Sequence, residues 1–84
     1  MNENKDEIVQ AIEELARYIR QLNRAFKHIS EAYSIVKNID EPVDVREEHA
    51  MIIDSIESLI VNVERAINSA VAQIGRLIYA KQDT

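Results

Sequence analysis

The chain is expected to fold as an all-α antiparallel two-helix hairpin that dimerises into a four-helix bundle. Three observations in its 84 residues carry this expectation. Two long stretches repeat apolar residues in alternating steps of three and four, the signature of a helix with one buried stripe. A single break, Asn38 to Asp44, separates them and contains the only proline, Pro42. With one glycine and no cysteine, the chain has little turn chemistry for strands and no disulfide to hold a small fold together.

Met1 to Asn4 reads as a short frayed start. Asn4 with Glu7 three residues on has the pattern of a capping box, and Asp6 and Glu7 suit the positive end of a helix dipole. The first helix is expected over about 5–38. One seam row is Ile8, Leu15, Leu22, Ile29 and Val36; the other is Ile12, Ile19, Phe26 and Tyr33. Ala11, Tyr18, Ala25 and Ala32 flank the seam on one side, and Val9, Ala16, Asn23 and Ser30 on the other. Mostly small flanks let neighbouring helices approach on both shoulders, which fits a bundle.

The loop is expected over about 39–44. Pro42 pushes Glu41 out of the helical region. Asp44 and Glu47 form a second capping pattern. The second helix is expected over about 45–80, with Lys81 to Thr84 as a loose tail. Its seam rows are Ile53, Ile60, Ile67 and Ile74, and Ile56, Val63, Ala70 and Leu77. Ile52, Leu59 and Ala66 widen the stripe on one side, Val71 and Ile78 on the other. Folding at Glu41 would set Ile8 near Ile74, Ile12 near Ala70, Ile19 near Val63 and Phe26 near Ile56. The same fold would put His49 near Tyr33. Each helix is about 50 Å long at 1.5 Å per residue. Two such helices cover only one contact line, so residues 1–84 are read as a single hairpin domain whose apolar shoulders are closed by a second copy.

Composition narrows function. A net charge of −5 disfavours a general nucleic-acid or anionic-membrane binder. No signal peptide or membrane-length apolar run is visible, so a cytoplasmic, non-membrane protein is the expectation. The residues three before His28 and His49 are Ala25 and Arg46, not glutamate, and the seam between Ile8 and Leu77 holds no carboxylate. No metal or other cofactor is expected. There is no cysteine nucleophile, glycine-rich phosphate loop or serine–histidine–acid set, so no catalytic residue is assigned and an enzyme is not expected.

Two surfaces stand out. Arg17, Arg20, Arg24 and Lys27, with His28 at the edge, form one basic patch at helical spacing. Glu13 can pair with Arg17 and Glu31 with Lys27, leaving Arg20 and Arg24 without a local partner. Such a patch is a solvated face, or a dock for an acidic protein or for phosphates. On the second helix, Ser55, Ser58, Asn62, Ser69 and Ala72 are small where exposed helices carry long charged residues. They are read as a candidate second contact face, set against drift on an unconstrained surface.

A short helical hairpin that dimerises resembles the plasmid-borne RNA-binding regulators of the Rop type. The likeness is one of shape over the whole chain, matches no motif and carries no residue's function across. The leading expectation is a non-enzymatic homodimeric adaptor acting on an unidentified protein. The alternatives are an RNA or DNA regulator and a subunit of a hetero-oligomeric helical complex or chaperone.

Overall fold

The computed structural model describes residues 2–82, with side chains from Lys5 onward. Helix α1 spans Asn2–Lys37, a 3-10 turn spans Val43–Val45, and helix α2 spans Arg46–Gln82. The two helices lie against each other as a hairpin measuring 65 × 15 × 13 Å between Cα extremes.

Both N-terminal capping expectations are corrected. Helix α1 begins at Asn2, so Asn4 lies inside it rather than at its start. At the other end, Asp44 is held in the 3-10 turn, where the Val45 amide donates to the Pro42 carbonyl at 3.1 Å. Asp44 makes no side-chain hydrogen bond among the described residues. The 3-10 turn runs directly into α2, so its own bonds occupy amides that a side-chain cap would otherwise take. Asn2 and the Lys81–Gln82 pair, expected as loose ends, are helical; Met1, Asp83 and Thr84 lie outside the described residues.

Helix α1 ends without a left-handed residue, since no described residue has positive φ. Its last turn tightens instead: the Asn38 amide donates to the Ser34 and Ile35 carbonyls at 3.3 and 3.2 Å, and the Ile39 amide to Val36 at 3.1 Å. Pro42 then holds extended backbone, φ −63° and ψ 149°. The chain therefore climbs away from α1 before it turns.

That climb moves the pairing. Asn23 and Phe26 of α1 share a groove of about 240 Å³ with Glu64, Ile67 and Asn68 of α2. Phe26 is thus level with the stretch around Val63 to Ile67, not with Ile56. Continuing the heptads from that groove gives layers Ile12–Leu77, Ile19–Ala70, Phe26–Val63 and Tyr33–Ile56, one heptad along α2 from the sequence-based pairing. In this register the start of α2 extends past the end of α1, and His49, which is buried, is no longer level with Tyr33.

The core is thin. Only Val63, Ala70 and His49 are buried among the described residues, and all three fall on the row of Ile56 and Leu77. The seam residues Ile12, Ile19, Phe26, Ile53, Ile56, Ile60, Ile67 and Ile74 are half-buried. No described side chain is fully enclosed. A pair of helices buries one stripe of each and no more.

Candidate interaction surfaces

The register sorts the flanking rows into two sides. In an antiparallel pair, each flanking row of one helix lies beside the matching row of the other. The groove lined by both Asn23 and Glu64 identifies one such side. Along it, Ser30 lies level with Glu57 and Asn23 with Glu64, a polar run toward the loop. Toward the open end the same side turns apolar, with Ala16 near Val71 and Val9 near Ile78.

The opposite side is apolar over most of its length. Ile39 lies level with Ile52, Ala32 with Leu59, Ala25 with Ala66, Tyr18 with Gln73, and Ala11 with Ala80. Tyr18, Ile39, Val45, Ile52 and Leu59 remain 44–49 % exposed there. The two shoulders are therefore unequal, because Asn23, Ser30, Glu57 and Glu64 solvate one of them.

The small-residue row borders the apolar side. Ser55, Asn62 and Ser69 lie next to Ile52, Leu59 and Ala66 around the helix, while Ser58 and Ala72 sit farther out. All five are exposed. The Ser55 hydroxyl donates to the Met51 carbonyl at 2.8 Å, so it is already satisfied within its own helix. A shallow groove of about 390 Å³ lined by Glu48, Met51, Ile52 and Ser55 continues this border toward the loop.

The basic patch faces away from the seam. Arg17, Arg20, Arg24, Lys27 and His28 are all exposed. Neither expected pairing, Glu13 with Arg17 or Glu31 with Lys27, is formed; Glu31 lies instead 3.8 Å from His28 Nδ1. Arg17, Arg20, Arg24 and Lys27 make no ion pair or hydrogen bond among the described residues. Four cations held without carboxylate partners keep their full field toward solvent.

Sequence reasoning passed over the hairpin tip. Ile35 and Val43 are 66 % and 72 % exposed, and Met51 is equally bare. The signal was the number of apolar residues in and beside the loop, Ile39, Val43 and Val45 among them. His49 is buried, in keeping with its place seven residues before Ile56 on that row. No group of three or more metal-ligating side chains is gathered among the described residues, and no helix is long and apolar enough to cross a membrane.

The chain matches no known protein family, no curated protein and no solved structure. None of these comparisons supports the likeness to Rop-type hairpins.

Proposed function

We propose that the protein is a non-catalytic helical interaction module that works as a homodimeric four-helix bundle and presents its basic faces to an acidic protein partner. One observation supports it most. The hairpin has 6639 Å² of accessible surface, against about 5,100 Å² for a compact monomer of this mass. The excess of about 1,500 Å² sits on a chain whose seam is only half-buried, and a stable interface needs about 800 Å² from each partner. The cheapest source of that cover is another copy of the same hairpin.

The basic patch supports the second half of the reading. Its four cations have no internal partner, and a dimer shows the patch twice. A two-fold or repeating acidic surface would engage both copies, and linking two weak contacts raises the apparent affinity. The same absence of partners favours an RNA-binding reading, whose signature is steep salt dependence.

Capture from native lysate with and without nuclease separates the two. The proposal expects a protein partner that survives nuclease and is lost from an Arg20→Glu, Arg24→Glu variant. Binding that vanishes with nuclease and falls steeply between low and moderate salt would replace the protein partner with RNA. Binding that survives this variant, and bulky replacement of Ser58 and Asn62 as well, would remove both surfaces from the account.

A further inference from the structure

We propose that the second copy docks on the apolar side of the hairpin with its loop at the opposite end, so that the two-fold axis passes by Ala25 and Ala66. This rests on the homodimer reading above and specifies the face and the orientation. The apolar side runs from Ala11 to Val45, about 50 Å at 1.5 Å per residue. Across the 15 Å width of the hairpin, that is a footprint near the ~800 Å² a stable interface takes from each partner. The polar side has Asn23, Ser30, Glu57 and Glu64 along its loop half and offers no such strip.

Size pattern fixes the orientation. The end layers of the apolar side differ most, Ile39–Ile52 by the loop against Ala11–Ala80 at the open end, with Ala32–Leu59 and Tyr18–Gln73 between them and the middle. Its middle layer is Ala25 and Ala66. With loops at opposite ends, α1 packs along α1 of the partner and α2 along its α2. Ile39 then meets Ala11 and Tyr18 meets Ala32, while Ile52 meets Ala80 and Leu59 meets Gln73. Ile39, Ile52 and Tyr18 then each face an alanine, Leu59 faces Gln73, and two alanines of each copy meet at the axis. With loops at the same end, isoleucines would crowd isoleucines at the tip, and alanines would face alanines near the open end. Cores at native density alternate large and small across facing positions.

The border agrees. Ser55, Asn62 and Ser69 are short, and Ser55 already spends its hydroxyl on Met51. In this orientation Asn62 of one copy meets Ser69 of the other beside the axis, so two hydrogen-bonding side chains face each other and no like charges do. The small row left unexplained by the sequence is then the clearance that lets the second hairpin approach.

The chain has no cysteine, so single thiols report geometry without background. Ala25→Cys, Ala66→Cys and, as a polar-side control, Asn23→Cys would be purified reduced, sedimented, then oxidised and run without reductant. The proposal expects reduced dimers throughout, with Ala25→Cys and Ala66→Cys each cross-linking to themselves at least tenfold faster than Asn23→Cys. A dimer in which Ala25→Cys cross-links only when mixed with Ala66→Cys has its loops together and overturns the orientation. Preferential cross-linking of Asn23→Cys overturns the face. Monomers of all three variants and of the unaltered chain would overturn the homodimer reading itself.

Discussion

Single residues in this hairpin are unusually free of compensating contacts, which makes their individual contributions easy to read. Gly75 is the clearest case. A Cβ built on it meets nothing within 4 Å, and its φ is not positive, so nothing in the fold requires glycine. Gly75→Ala is expected to stabilise the protein by about 0.5–1 kcal/mol through helix propensity alone. A urea midpoint that rises without a change in slope checks it; a lowered midpoint would mean that another backbone approaches this position in the assembly. The surface polar contacts work the other way. Arg46 Nε sits 4.0 Å from Glu41 Oε1 with most of the arginine in water, and Lys37 Nζ lies 5.4 Å from the Tyr33 ring centroid. Exposed pairs of this kind contribute a few tenths of a kcal/mol to about 1 kcal/mol and do not hold the fold. What holds it is the apolar stripe.

At the scale of the element, the two helices were plain in the sequence because each repeats its apolar residues without interruption for about ten turns. Their ends were less plain. Asn4 and Asp44 have the residue types of caps, but capping patterns also occur where helix or 3-10 turn simply continues through them. The pairing register was out of reach for a related reason. It depends on how residues 39–42 carry the chain before it reverses, and a shift by one heptad keeps the seam rows largely apolar against apolar. Only the groove shared by Phe26 and Ile67 settles it. The asymmetry of the two sides was written in Asn23, Ser30, Glu57 and Glu64, but became visible once the register brought those residues together. Ile60, level with Ile29 in the seam, tests the result. Ile60→Asp forfeits about 2–5 kcal/mol of apolar burial and strands a charge among aliphatic side chains. It is expected to abolish the cooperative thermal transition seen by circular dichroism. An Ile60→Asp protein that melts at the unaltered temperature would show that this row does not face the seam.

For the whole molecule, the deciding quantity is surface. An 84-residue chain with three buried residues among those described has little core of its own, and small domains without disulfide or metal commonly obtain one by association. The basic patch, the small row and the apolar side then stop being separate oddities. In the proposed dimer, one side closes the bundle, the small row borders it, and the basic patch stays outside on both copies. Sedimentation equilibrium of the unaltered protein across a range of concentrations tests this account most directly. The account predicts one species at twice the chain mass of 9.7 kDa, dissociating only together with loss of helix. A helical species that remains at the mass of one chain at high concentration would contradict it, and the apolar side would then belong to a different protein.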